Sequence, residues 1–226
     1  ARAERSCGDA AMGDFWQTKA EAVARAVVAA FWDETHGLVA DTRTKDRFSE
    51  HAQCLAFLAD ALPSGLAERA FAGLVAAKNL APVTVYFSHY LFETYFKFGR
   101  ADLFLKRLDL WRSFVRDGLK TPMEAPGLRG RSDCHAWGAH PLYHLQTGIA
   151  GIRPDADGFG RVCVAPQPGG LKFVKATMPV KDGQVSVDLH FAGDQVSGTV
   201  RLPLGLSGRF CWRGKTSELK GGENVL

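Results

Sequence analysis

Between Thr121 and His144 the chain reads TPMEAPGLRGRSDCHAWGAHPLYH, and side chains able to do chemistry crowd there as nowhere else in its 226 residues. Glu124 stands among Pro122, Pro126, Gly127 and Gly130, a composition that predicts a loop with a carboxylate projecting from it. Arg129, Arg131, Ser132, Asp133, His135, Trp137, His140, Tyr143 and His144 follow. A carboxylate can move protons, an imidazole can hydrogen-bond, and an indole can cover apolar C–H edges. That set suits recognition of a sugar. The same residues also fit a helix–helix loop with a solvated Glu124 and a core Trp137, so residue types alone leave the reaction open.

Helices must position this stretch. Apolar residues at three- and four-residue spacing predict a first helix over 14–31, with Asp14 as N-cap and Gln17 at the capping-box position. WDETHGLVADT reads as a loop. A second helix is expected over about 48–62, closed by Pro63, and a third from Ser64 to about Lys78. A fourth, 84–98, carries Tyr86, Phe87, Tyr90, Phe92, Tyr95, Phe96 and Phe98, a stripe that reads as core. A fifth, 101–117, places Phe104, Leu108, Trp111 and Val115 on one side, with Gly118 as terminator. The sixth begins near Ser132, and Pro141 should bend or interrupt it. Six helices with short connections make three antiparallel hairpins. His51 and Gln53 on the second helix either reach a central cavity or are satisfied polar groups at helix contacts.

After Gly151 the period changes to two. Val185, Val187, Leu189 and Phe191 alternate with Ser186, Asp188 and His190, and Val196, Gly198, Val200 and Leu202 continue the pattern. Further strands are expected over 161–164, 172–178, 209–212 and 217–219. This predicts a small antiparallel β-domain, a sandwich, whose polar residues form no constellation.

Composition excludes several classes. A net charge of +4 with no Lys/Arg run argues against a nucleic-acid partner. No stretch approaches the roughly 18 apolar residues of a membrane span. Five scattered cysteines without a CxxC pair suit neither a disulfide framework nor a zinc site, and favour a cytoplasmic setting over a periplasmic or secreted one. His140 and His144 stand at i, i+4, but no third ligand is evident and no metal is expected. The opening ARAERSCGDAAMGDFW has neither an initiator Met nor a signal-peptide core, so the chain reads as starting in mid-protein.

The run SDCHAWGAHPLYHL followed by GIAGIRPDADGFGRVCVAPQPGGL resembles the end of the catalytic barrel in bacterial α-L-rhamnosidases, glycoside hydrolase family 78. The resemblance rests on Ser132, His135, Ala136 and Trp137, then Gly151, Ile152, Pro154, Gly158 and Phe159, then Pro166 and Gly169, with Thr121 and Glu124 matching a Thr-x-x-Glu turn. It extends upstream through FWDETHGLVADT and RFSEHAQCLAFLADAL. It implies an α+β protein: the second half of an (α/α)6 barrel over residues 1–152 and an antiparallel β-sandwich over 153–226. It further implies inverting hydrolysis of terminal α-L-rhamnose from a rhamnose-containing glycoside, without a cofactor. Glu124 would be the catalytic base, and His135 would bind the sugar with Trp137 and Arg131 on the pocket wall. The family's general acid belongs to an Asp-x-x-x-Arg-Glu motif that this chain lacks, so the missing N-terminal part of the same protein is the implied partner. Another six-hairpin glycosidase, acting on fucose or an uronic acid, and a non-catalytic sugar-binding remnant are the alternatives.

Overall fold

A computed structural model describes residues 1–126 and 132–226. Among the described residues, helices predominate up to residue 149 and strands from residue 152 onward. By its contacts the chain divides into two compact units, Ala1–Thr94 and Tyr95–Leu226.

The first unit begins with a short helix, α1 (Arg2–Cys7), and the long helix α2 (Ala10–Phe31). Asp9 rather than Asp14 caps α2, its carboxylate accepting from the N–H of Ala11 at 2.7 Å. The alanines of AAMG carry the helix back past the expected start, which frees Asp14 to pair with Arg5 at 2.8 Å. The expected loop that follows contains a hairpin, β1 (Trp32–Asp33) with β2 (Leu38–Val39), turned by Gly37 at φ +64°. Then come α3 (Glu50–Leu58) and α4 (Ser64–Ala76). Gln53 is fully buried and fully used: its amide donates to Val39 and Ser49 and accepts from the N–H of Val39, locking α3 to β2.

Helix α5 (Ser88–Lys97) runs through the boundary between the units. It starts later than its sequence suggests, because Val85 to Phe87 form a turn. Leu91, Phe92, Tyr95 and Phe96 are buried, as a core stripe requires, but Tyr86 is 50% exposed.

In the second unit the expected fifth helix is two, α6 (Ala101–Arg107) and α7 (Asp109–Arg116), divided by a shallow turn at Leu108 with ψ −11°. The break changes which face is buried: Phe104 and Phe114 go inward, and Val115, expected inward, is 73% exposed. The expected sixth helix is three short pieces: a 3₁₀ turn (Ala136–Ala139), α8 (Pro141–His144) and a π-helical turn (Leu145–Ile149). Pro141 opens α8 instead of bending a longer helix, a position where its missing N–H costs nothing.

Two four-stranded sheets complete the unit. One is antiparallel in the order β10 (Gly222–Val225), β7 (Gln195–Leu202), β6 (Gly183–Ala192), β5 (Phe173–Val180). The other runs β3 (Ile152–Pro154), β4 (Val162–Val164), β8 (Gly208–Trp212), β9 (Lys215–Leu219). Its β4–β8 pair is parallel, a departure from the expected all-antiparallel domain. Val185, Val187 and Leu189 point into the core while their neighbours face out, as the alternation predicts. Ile152, Val162, Val164, Phe210 and Leu219 are buried on the second sheet. Phe191 and Trp212 bring the two sheets together, with ring centroids 5.2 Å apart.

Candidate active site

Helix α7 ends in a Schellman motif. Gly118 takes φ +82°, its N–H donates to Val115 at 3.1 Å, and the N–H of Leu119 donates to Phe114 at 2.9 Å. The chain is thereby turned off the helix and into the loop that carries Glu124. Three hydrogen bonds then close the loop at its base. Thr121 Oγ1 donates to the carbonyl of Asp133, the N–H of Glu124 to that of Ser132 at 2.9 Å, and the N–H of His135 to that of Pro122 at 2.8 Å. Met123, between the two arms, is buried. The backbone of Glu124 and that of His135 are therefore fixed to opposite arms of one stapled base. Arg131, expected on the pocket wall, lies outside the described residues.

His135 caps the 3₁₀ turn in an extended conformation, and the N–H of Gly138 donates back to its carbonyl at 3.0 Å. Its ring lies against that of Trp137, centroids 4.1 Å apart, and its Nδ1 is buried with no hydrogen-bond partner among the described residues. Trp137 is 41% exposed and not a core residue. Trp111 of α7 is half-buried, its indole N–H donating to the carbonyl of Gly138 at 2.7 Å and its ring meeting His140. Sequence periodicity placed Trp111 on a buried face, but nothing in it showed that this residue anchors the turn bearing Trp137. His144 is fully buried and stacks on Phe96 with the rings 9° from parallel. An imidazole–indole pair can bind a neutral ring compound, and a carboxylate on the same loop can deprotonate a group brought to it.

Residues 151–225 match the family model of the bacterial alpha-L-rhamnosidase C-terminal domain. The family 78 rhamnosidase of Bacillus sp. GL1 aligns with a TM-score of 0.80 at 22% identity, covering 97% of this chain and 25% of that one. The chain has the fold of the C-terminal part of an α-L-rhamnosidase. The α-L-rhamnosidase of Aspergillus terreus aligns with a TM-score of 0.80 at 17% identity, over 99% of this chain and 28% of that one. The Streptomyces avermitilis α-L-rhamnosidase, solved with L-rhamnose, gives 0.76 at 20% identity, over 98% and 24%. The chain thus spans about a quarter of the length of the rhamnosidases it matches. No curated protein sequence matches it.

Within the part matching the rhamnosidase C-terminal domain, the structure corrects the expectation that its polar residues form no constellation. Asp155 receives three bonds from the Arg209 guanidinium, the shortest at 2.7 Å, and one from Arg161 at 3.2 Å; Arg161 also reaches Glu218 at 2.7 Å. The Arg209 guanidinium, followed by that of Arg161, holds the Asp155 carboxyl below its ordinary value, and Arg209 is raised in turn. The network links the loop after β3 to β4, β8 and β9. Bonded members lie up to 57 residues apart, so no local pattern announces it. Burial pushes the Cys163 thiol up, and the neighbouring Cys211 adds to that.

Proposed function

We propose that this chain is the C-terminal part of an inverting α-L-rhamnosidase, with Glu124 as catalytic base. The observation that carries the reading is the stapled loop, whose three bonds fix the backbones of Glu124 and His135 to one base. The match to the rhamnosidase C-terminal domain supports it. In this reading residues 1–152 are the second half of an (α/α)6 barrel and residues 153–226 a β-sandwich. Terminal α-L-rhamnose binds with one hydroxyl on His135 and its apolar edge on Trp137, and Arg131 completes the wall. The Glu124 carboxylate takes a proton from a water molecule as that water attacks the anomeric carbon. On the opposite face a protonated carboxylic acid gives its proton to the leaving oxygen, which departs with the bonding pair. The two carboxyl groups of such a site stand about 6.5–9.5 Å apart to admit the water. The acid belongs to a preceding part of the same protein, and neither metal nor organic cofactor takes part.

The test is the stereochemistry of the first product. Incubated with an aryl α-L-rhamnoside and followed by proton NMR, the complete protein should release β-L-rhamnose first, the α anomer appearing later by mutarotation. First release of α-L-rhamnose would sink the inverting mechanism. Hydrolysis of an α-fucoside or an uronide with no turnover of the rhamnoside would replace the substrate.

A further inference from the structure

A second cluster of sugar-binding character lies wholly within residues 1–94, on side chains that the proposed reaction does not use. Bonds tie the start of α3 to the segment that leads into α5: the N–H of Ala81 donates to Phe48 at 3.0 Å, the N–H of Glu50 to Ala81 at 3.0 Å, and the N–H of Val83 to the Glu50 carboxylate at 2.7 Å. That clamp brings the ring of His51 onto Phe87, centroids 4.4 Å apart. Phe87 in turn meets Tyr90 at 4.7 Å, and the far side of Tyr90 meets His89 at 5.2 Å and Tyr86 at 6.4 Å. Tyr86 beside it raises the Tyr90 phenol above its ordinary value.

A core stripe does not look like this. Leu91 and Phe92 of the same helix are fully buried, whereas Tyr86 is 50% exposed and His51, Phe87, His89 and Tyr90 are half-buried. An open aromatic face ringed by phenols and imidazoles is costly to leave wet and can cover the C–H edge of a pyranose while bonding its hydroxyls. We infer that His51, Tyr86, Phe87 and Tyr90 form a subsite for one neutral sugar ring. The site is separate from Glu124 in the chain and stands whether or not the rhamnosidase reading does. Its ring can be part of the glycoside being cleaved or belong to an unrelated glycan, and the ligands below separate these.

The 226-residue chain is titrated with methyl α-L-rhamnoside, with an L-rhamnose-terminated disaccharide and with maltose, by calorimetry and by aromatic carbon–proton NMR. At least one sugar should shift the ring signals of Tyr86 and Tyr90 at saturation. Tyr90→Phe, which removes one hydroxyl, should weaken that sugar by about two- to tenfold with an unchanged melting temperature. Tyr86→Ala should weaken it at least as much. Maltose as the one sugar bound there would keep the subsite and count against a rhamnoside occupant. Unshifted tyrosine signals with all three sugars, or an affinity untouched by Tyr90→Phe and Tyr86→Ala, would overturn the proposal.

Discussion

The N–H of His135 donates to Pro122 at 2.8 Å, so this residue's position is set by the loop's base, while its ring rests on Trp137. Replacing the ring should leave that backbone bond in place. His135→Ala in the complete protein is expected to weaken rhamnose binding by about 0.5–1.5 kcal/mol, the worth of one hydrogen bond to a neutral hydroxyl. Calorimetry and a thermal melt check it together: unchanged affinity, or a collapsed fold, would make His135 a structural residue. Asp155 offers a pH test of a different kind. Its side chain is 17% exposed and its carboxyl is held below the ordinary 3.8 by Arg209 and Arg161. A carboxyl lowered on folding contributes stability that is complete above its unfolded value and is lost as pH falls through the lowered one. Asp155→Asn should therefore melt below the unaltered chain at pH 7, and the gap should shrink as pH drops below about 4. A gap that stays constant down that range would show that the charge is not what Asp155 contributes.

At the scale of elements, a few glycines decide whether the pieces fit. Gly151 sits at φ +74°, and a Cβ there would stand 2.2 Å from the backbone carbonyl carbon of Ala165, which cannot move aside as a flexible side chain could. Gly118 has a similar φ, +82°, but open space around it. Gly118→Ala should cost about 1 kcal/mol for the left-handed backbone alone, and Gly151→Ala about 2 kcal/mol or more because overpacking is added. Urea unfolding of the two variants orders them; equal losses would mean that the β3 approach to Ala165 is looser than it stands. The same scale shows what the sequence could tell. Every strand from Val185 to Leu202 was legible, since alternation of buried valines with Ser186 and Asp188 has no other explanation. The edge strands β3 and β10, three and four residues long, were missed because so short a run has no period to read. The break at Leu108 was missed for another reason: the composition on both sides of it is helical. The interruption of the sixth helix at Pro141 was legible, but the 3₁₀ and π turns on either side of α8 leave no mark in the pattern. Within the candidate site, the sequence singles out Glu124, His135 and Trp137 by residue type and family resemblance, but it does not show the staple that fixes the backbones of Glu124 and His135, because two of its three bonds are made by the main chain alone.

For the whole molecule, one run of exposed apolar side chains lies along α2. Met12, Phe15, Trp16 and Val23 are 40–62% exposed along one helix. Trp16 and Val23 border an open groove of about 750 Å³ that runs to Leu55 and His51. Each large apolar side chain left in water forfeits about 1.5–3 kcal/mol, so the isolated chain should bind ANS and self-associate. A purified chain that stays monomeric at high concentration without ANS fluorescence would contradict this. Under the proposed function it should also fail to hydrolyse a rhamnoside, because an inverting site needs two carboxyl groups and the sequence offers the base alone. The central claim is that Glu124 is that base, and one measurement bears on it most directly: turnover of an aryl α-L-rhamnoside by the complete protein carrying Glu124→Gln. The substitution keeps shape and removes the proton acceptor, so turnover should fall on the order of a hundredfold or more with the melting temperature unchanged. Near-normal turnover by a folded Glu124→Gln protein would contradict the account.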